Sequence, residues 1–179
     1  LEDSSKCVIG DLFEEMAMLE WAGIGIGEEE TFRLMHSIWR HAAVSGAKML
    51  WFWGRIYCTK SDYWILEGEL PSNEENDLPW EVEQWGQGVN KKVYWVTDNI
   101  LEDWVQLPDT HPEHIKAARQ IKHIMTGCLN APLNTNPPFP GKERHYLRAQ
   151  IARISHNVTI APAGLYGESQ DENNKELVI

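Results

Sequence analysis

The sequence predicts an α+β fold, with a mostly antiparallel sheet centred on an aromatic hairpin and with flanking helices. Two aromatic and β-branched runs, at 49–58 and 62–70, lie on either side of a Thr-Lys-Ser break, and this pattern is typical of an antiparallel hairpin. Large apolar side chains fall on both faces of the first run, which predicts a central strand covered on both sides. Apolar residues at helical spacing before and after the hairpin predict helices that pack around this sheet.

Alternation along the first strand of the hairpin predicts which of its side chains share a face. One face is expected to carry Trp51, Trp53, Arg55 and Tyr57, and the other Phe52, Gly54, Ile56 and Cys58. Polar groups on this apolar hairpin are Arg55, Glu67 and Glu69. If Arg55 is buried, it requires a carboxylate partner.

Two helices are predicted before the hairpin. The first covers 11–22, and the glycines of Gly23–Gly27 permit a sharp reversal after it. The second begins at Glu28, where three consecutive glutamates suit the positive end of the helix dipole, and Gly46 ends it. The apolar stripe of this second helix is expected to contain Phe32, Met35, Trp39 and Ala42.

Strands and loops alternate after the hairpin. The acidic stretch 71–90 reads as a long loop, held to the body by Trp80 and Trp85, and 92–97 and 104–107 are predicted as the third and fourth strands. A helix then begins at Pro112 and ends at Gly127. Its inward residues are expected to be Ile115, Ala118, Ile121 and Met125, and its outward residues Lys116, Arg119 and Lys122.

The last third of the chain is less regular in pattern. Residues 130–141 are rich in asparagine and proline and are predicted to be irregular. The run 146–154 fits a helix, although its assignment stays open, and 158–161 is expected to be a short strand. These expectations divide the chain into an N-terminal extension (1–10), a core body (11–166) and an acidic linker or tail (167–179).

Charge is unevenly distributed along a chain whose net charge is −11. Residues 61–90 contain eight acidic residues and no lysine or arginine, whereas 111–155 contain seven basic residues against Glu113 and Glu143. Opposed charged patches suit head-to-tail contacts with charged protein partners, and solvated faces without a specific partner explain them equally well. Nucleic acid is disfavoured by the negative net charge, and a membrane by the shortness of the apolar runs.

No catalytic or cofactor motif emerges from the sequence. The glycines at 23–27 lack the lysine of a phosphate loop and are followed by glutamates that repel phosphate. His111 and His114 lack further ligands at metal-site spacing and are interpreted as capping or surface residues. The three cysteines are widely separated, which indicates free thiols in a reducing compartment. The nine tryptophans suit a core, a partner contact or a platform for a small ligand.

Six sequence blocks, in order, resemble conserved blocks of the radial spoke head family, the group that contains radial spoke proteins 4 and 6. They are Leu19–Thr31, Phe52–Ile56, Gly88–Val96, Trp104–Pro108, Pro137–Gly141 and Tyr146–Ser155. The similarity extends over nearly the whole chain, from about residue 16 to about residue 166. Because the family continues beyond an acidic stretch, the chain is expected to represent its main folded body.

The resemblance implies a non-catalytic structural component of the radial spoke head in the axoneme of cilia and flagella, a cytoplasmic cytoskeletal structure. It implies a role in relaying mechanical signals between the central pair and the dynein arms. The implied partners are the chain itself or a close paralogue, other radial spoke head proteins and central pair projections. No cofactor, metal, small-molecule substrate, membrane or nucleic acid is implied. The alternative function is a tryptophan-rich module that binds a ligand or peptide.

Charged residues in the two oppositely charged stretches are the candidate partner contacts. The acidic stretch is expected to face a partner or the central pair, and the basic stretch to contact acidic neighbours. The candidates are Glu74, Glu75, Asp77, Glu81, Glu83, Lys116, Arg119, Lys122 and Arg148.

Overall fold

A computed structural model describes residues 7–71 and 88–157, together with the short segments 167–168 and 177–178. Five of its strands form one sheet in the order β1-β2-β3-β4-β5. They are β1 (Val8–Ile9), β2 (Met49–Ile56), β3 (Tyr63–Glu69), β4 (Val93–Thr97) and β5 (Val105–Gln106). The short β1 runs parallel to β2 and every other pairing in this sheet is antiparallel, so the predicted fold class is confirmed.

Helices cover both faces of this sheet. They are α1 (Leu12–Trp21), α2 (Glu28–Ser45), α3 (Pro112–Gln120) and α4 (Glu143–Asn157). Side chains of α1 and α2 enclose one hydrophobic core with Leu50, Leu66 and Trp95. Side chains of α3 and α4 enclose a second core with Ile65 and Val96 on the opposite face.

The strands that are buried on both faces are β4, all of whose residues are buried, and most of β3, and not β2 as the sequence predicted. The first four residues of β3 are all buried, whereas Leu50 is the only fully buried residue of β2. A register shift between Phe52 and Gly54 also breaks the expected alternation. As a result, Trp53 packs against the core of α3 and α4, while Arg55 stacks on Trp64 of the other core.

Local signals determine the bounds of the first two helices, which match the prediction within a residue. The Asp11 carboxylate accepts a hydrogen bond from the Glu14 amide at 3.2 Å and caps α1. Gly27, which precedes α2, has a φ of 88°, and Gly46, which follows it, has a φ of 66°. Both values lie in the left-handed region that glycine adopts without strain.

The buried stripe of α2 differs from the predicted one. Met35 is buried as predicted, together with Leu34 and Ile38, whereas Phe32 and Trp39 are 56% and 47% exposed. Both stripes follow the helical period, so periodicity alone does not decide between them. The aliphatic stripe packs against the sheet, and the aromatic stripe faces solvent.

Helix α3 is shorter than predicted, because Ile121 adopts an extended conformation with φ −115° and ψ 150°. The chain then runs along the turn between β2 and β3. There the Met125 and Thr126 carbonyls accept hydrogen bonds from the Thr59 and Lys60 amides, each at 3.0 Å. Ile121 and Met125 are buried as expected, although neither is helical.

The remaining expectations are only partly covered by the described residues. Residues 146–154, whose assignment the sequence left open, lie in helix α4. Residues 130–141 are irregular as predicted, apart from a β-bridge between Pro132 and Lys142. Two further strands, β6 (Gly167–Glu168) and β7 (Leu177–Val178), pair with each other inside the segment expected to be a linker. The segment 72–87, with Trp80 and Trp85, and the strand expected at 158–161 lie outside the described residues. No described helix has the length and apolar character needed to cross a bilayer.

Candidate interaction surfaces and the contacts that position them

A buried carboxylate joins the hairpin, the loop after α3 and the start of α4. Glu143 is 1% exposed, and its oxygens accept hydrogen bonds from the Tyr63 hydroxyl at 2.7 Å, the Thr126 hydroxyl at 2.8 Å and the Gly127 amide at 2.9 Å. The Thr126 amide donates as well, at 2.9 and 3.0 Å. We call these four residues the carboxylate clasp.

The clasp holds Glu143 in its ionised form. Burial opposes ionisation, but the hydrogen bonds from Thr126, Tyr63 and Gly127 outweigh it and lower the pKa of Glu143 below its ordinary value. Burial and the bond to Glu143 raise the pKa of Tyr63, so the tyrosine remains a donor. The clasp is therefore a charge-assisted tie between segments that are distant in sequence.

Gly127 allows this tie to form, because its backbone passes very close to the hairpin turn. Its φ is 89°, and the Ser61 hydroxyl donates to its carbonyl at 3.0 Å. A β-carbon at this position would lie 2.1 Å from the Ser61 carbonyl oxygen. Both the conformation and the close approach require glycine.

Arg148 is a second buried tie, and the structure does not support it as a surface contact. Its side chain is 2% exposed, and its guanidinium donates to the Val89 carbonyl at 2.9 Å and to the Asn90 side-chain oxygen at 3.3 Å. The guanidinium also lies over the Tyr94 ring, 4.6 Å from its centroid. Arg148 is buried and not exposed because it lies on the inward face of α4, where its guanidinium holds the turn before β4.

Two of the three polar groups of the hairpin, Arg55 and Glu67, form side-chain hydrogen bonds. Arg55 is half-buried and not buried, and it donates to the Asp62 carboxylate through two nitrogens, at 2.6 and 3.0 Å. Glu67 accepts hydrogen bonds from Lys92 and from the Tyr94 hydroxyl, and burial with this bond raises the pKa of Tyr94 to about 12. Part of the acidic charge of 61–90 is thus neutralised within the fold.

Three of the candidate contact residues are positively charged and exposed. Lys116 and Arg119 lie on the outer side of α3, and Lys122 follows just after its end. We call these three residues the basic ridge. The acidic candidates Glu74, Glu75, Asp77, Glu81 and Glu83 lie outside the described residues.

An exposed apolar surface on α1 and α2 was missed by the sequence analysis. A groove of about 690 Å³ between these helices is lined by Phe13, Trp21 and Phe32, among others, and Trp21 is 89% exposed. The signal that could have revealed this surface is the presence of two apolar stripes on α2, since one sheet can bury only one of them.

The tryptophans divide between core and surface. Trp64, Trp95 and Trp104 are buried, and the Trp104 indole nitrogen donates to the Ser37 hydroxyl at 3.0 Å. Trp51 and Trp53 are half-buried, whereas Trp21 and Trp39 are exposed. These positions favour a core role for the strand tryptophans and a contact role for the helical ones.

Three histidine rings lie close together in the described part of the chain, with centroids 5.5 Å apart for His111 and His114 and 5.1 Å apart for His114 and His145. The His114 ring nitrogen and the Pro140 carbonyl lie 3.0 Å apart, and His111 occupies the cap position of α3, as expected. Among the described residues, no group of three or more His, Cys, Asp or Glu side chains is arranged to hold a metal ion. The three cysteines are free thiols, and burial raises the pKa of Cys58 to about 11.

These features define an α+β body in which buried polar groups tie distant segments together and charged and aromatic surfaces face outward. The chain belongs to the radial spokehead-like protein family, whose model matches residues 2–80 and 69–178. The resemblance seen in the sequence blocks is therefore confirmed.

Curated relatives agree with the family match. Radial spoke head protein 4 homolog A of Homo sapiens is 31% identical over 211 aligned residues, which cover 98% of this chain and 30% of the relative. Radial spoke head protein 6 homolog A of Xenopus tropicalis is 32% identical, and the alignment covers 97% of this chain and 40% of the relative. Flagellar radial spoke protein 4 of Chlamydomonas reinhardtii is 30% identical, covering 89% and 39%. The chain thus spans 30% to 40% of the length of these relatives.

Proposed function

We propose that the chain is a non-catalytic structural component of the radial spoke head in the ciliary or flagellar axoneme. The observation that carries this proposal is the family match along almost the whole chain, with relatives named as radial spoke head or flagellar radial spoke proteins. In this function the body transmits mechanical signals between the central pair and the dynein arms. Its partners are itself or a close paralogue, other spoke head proteins and central pair projections.

The contacts inside the body suit a part that must transmit force. The carboxylate clasp joins three segments, and Arg148 joins α4 to the turn before β4. Buried, charge-assisted hydrogen bonds of this kind resist local opening more than exposed ion pairs do. A body with few low-stability segments passes displacement from one surface to another instead of absorbing it.

The most direct test of the proposal is the location of the protein in a ciliated cell. A fluorescent tag placed at its own locus is expected to mark the length of the axoneme and to remain there after detergent removes the membrane. A diffuse signal that detergent extracts would reject the spoke assignment. A saturable change in tryptophan fluorescence on titration with a glycan or peptide panel would instead support the ligand-binding alternative.

The basic ridge is expected to contact an acidic neighbour in the spoke head. Reversal of its charges by Lys116→Glu, Arg119→Glu and Lys122→Glu together should weaken co-precipitation with other spoke head proteins at least about tenfold, because opposed patches become like-charged. The unfolding midpoint should hardly change, since all three side chains are exposed.

A matched control keeps the positive charge at each of these positions. The substitutions Lys116→Arg, Arg119→Lys and Lys122→Arg should leave co-precipitation near the wild-type level. Equal co-precipitation by the charge-reversed variant would show that the ridge is only a solvated face.

A further inference from the structure

The groove between α1 and α2 has apolar walls that both helices supply. On α1 the lining residues recur at the spacing of one helical face, and they are Phe13, Met16, Ala17, Glu20 and Trp21. Phe32 lines the wall that α2 supplies, and Phe13, Trp21 and Phe32 are all exposed. A contiguous apolar surface of this kind marks an interaction site, unlike scattered single apolar side chains. We call it the α1–α2 groove.

The segment that forms the α1–α2 groove carries only negative charge. Residues 11–31 contain seven acidic residues and no lysine, arginine or histidine. Three of the acidic residues, Glu20, Glu28 and Glu29, line the groove itself. The Glu20 carboxylate accepts a hydrogen bond from the Gly27 amide at 2.6 Å, which holds it at the rim. The apolar walls therefore lie inside an acidic rim.

The ion pair between Arg33 and Glu29 does not remove this negative charge. Both side chains of the pair are exposed, and an exposed pair contributes little energy. Even when the charges of this pair cancel, Glu20 and Glu28 keep the lining negative, and no lining residue is basic. The rim therefore attracts cations.

The shape and the charge of the groove together identify its occupant by chemistry. A groove between two helices is shaped for a third helix, whose apolar stripe packs between them. An acidic rim favours lysine and arginine beside that stripe and repels an acidic surface.

Surfaces of the chain itself match the groove poorly. Residues 72–87 contain five acidic residues and no basic one, and residues 158–166 contain no charged residue. The basic ridge of a second copy supplies positive charge without an exposed apolar stripe, because Ala118 is buried and Ile115 is half-buried. A different protein therefore fits better than any of these.

We propose that the α1–α2 groove binds an amphipathic helix of a different protein, one whose apolar stripe is flanked by lysine and arginine. Apolar side chains of this helix pack among Phe13, Trp21 and Phe32, and its cations lie beside Glu20 and Glu28. The inference rests on the proposed function, since it names the chemistry of one partner that the body holds.

Binding of synthetic helical peptides to the purified chain tests the inference, with fluorescence anisotropy of a labelled peptide as the readout. The probe is a peptide of about 18 residues, or five helical turns, with leucines along one face and lysines elsewhere. We expect its Kd to be at least about tenfold lower than that of the same peptide with glutamate in place of lysine. A rearranged peptide of equal leucine and lysine content, but without an apolar stripe, should also bind at least about tenfold more weakly.

Variants of the groove show whether the peptide binds there. Trp21→Ser and Phe32→Ser should each raise the Kd of the leucine and lysine peptide at least about tenfold. Both side chains are exposed, so circular dichroism should show an unchanged fold. The matched control is Ile124→Ser, at an exposed apolar position outside the groove, which should leave the Kd unchanged.

Charge reversal at the rim tests the electrostatic part of the inference. Glu28→Lys should raise the Kd about fivefold at low salt, and the difference from the wild type should largely disappear in about 1 M salt, where charges are screened within about 3 Å. The control is Glu113→Lys, which makes the same change at an exposed glutamate of α3 and should have little effect.

Equal binding of the leucine and glutamate peptide, or a Kd that neither Trp21→Ser nor Phe32→Ser changes, would overturn the inference. A chain that binds no peptide would overturn it as well. Sedimentation velocity would then distinguish a second copy in the groove, seen as a dimer that Phe32→Ser weakens, from a segment of the same chain, seen as a monomer. Failure here is distinguishable from failure of the proposed function, because the protein can be located in the axoneme whether or not this groove binds a peptide.

Discussion

Replacement of Gly127 by alanine is expected to destabilise the body by about 3–5 kcal/mol. Two costs add. The residue has a φ of 89°, which an L side chain adopts only with strain, and the new β-carbon would lie 2.1 Å from the Ser61 carbonyl oxygen. Since the opposing atom belongs to the backbone, relief requires movement of the hairpin turn. Urea denaturation followed by tryptophan fluorescence measures the loss.

Gly46→Ala provides the matched control for this substitution. Gly46 also has a left-handed conformation, with a φ of 66°, but nothing lies within 4 Å of its missing β-carbon. Its replacement should therefore cost only the conformational term, about 1 kcal/mol. Equal losses at both positions would show that the close approach to Ser61 contributes nothing.

Glu143→Gln is expected to cost about 3–5 kcal/mol, although it changes the size of the side chain very little. The carboxylate accepts from four donors on Tyr63, Thr126 and Gly127. An amide group offers one oxygen and brings two donors of its own, so at least one buried donor loses its acceptor. Glu113→Gln is the control, because Glu113 is an exposed glutamate in the first turn of α3 and its replacement should change stability by less than about 0.5 kcal/mol.

The pH dependence of this loss provides a second readout. The pKa of Glu143 is lower in the folded protein than its ordinary value, so its contribution is present above the pKa of the unfolded glutamate, about 4.3, and disappears as the pH falls through the folded value. The difference in unfolding free energy between the wild type and Glu143→Gln should be constant near neutral pH and should shrink in acid below about pH 4. A difference that does not depend on pH would show that the charge of Glu143 is not what the clasp uses.

Local sequence signals determined what could be predicted about the fold. The bounds of α1 and α2 follow from the Asp11 cap and from glycines whose left-handed conformations begin or end helices. The strands β3 and β4 follow from short aromatic and β-branched runs. In each of these cases the residues that specify the element lie within or beside it.

Features that depend on distant residues were not predicted. The bulge in β2 that separates Trp53 from Arg55 arises from pairing with β3, and the early end of α3 depends on hydrogen bonds to Thr59 and Lys60. Glu143 and Tyr63 are 80 residues apart in sequence, so neither residue reveals the clasp by itself. The sequence analysis predicted an exposed position for Arg148 because its side chain is charged. The sequence alone does not show that backbone carbonyls and the Tyr94 ring surround the guanidinium and replace water around it.

Sequence and structure together divide the charged residues by role. Charges on the hairpin and on the inward face of α4 hold the body together, as Arg55 and Arg148 do. The charges of the basic ridge are exposed and are proposed as contacts. The sequence analysis predicted that Lys116, Arg119 and Lys122 face outward, and they are exposed. It missed the exposed apolar surface on α1 and α2, because it assigned the aromatic residues of α2 to the core.

The central claim, that this protein is a structural part of the radial spoke head, is tested most directly by isolating the spokes. The protein would be tagged at its own locus in a ciliated cell, demembranated axonemes would be solubilised, and the extract would be separated by density-gradient sedimentation. We expect the tagged protein to sediment in the same fractions as other spoke head proteins, in a constant ratio to them. Sedimentation as a free protein, with the other spoke head proteins in separate fractions, would contradict the assignment.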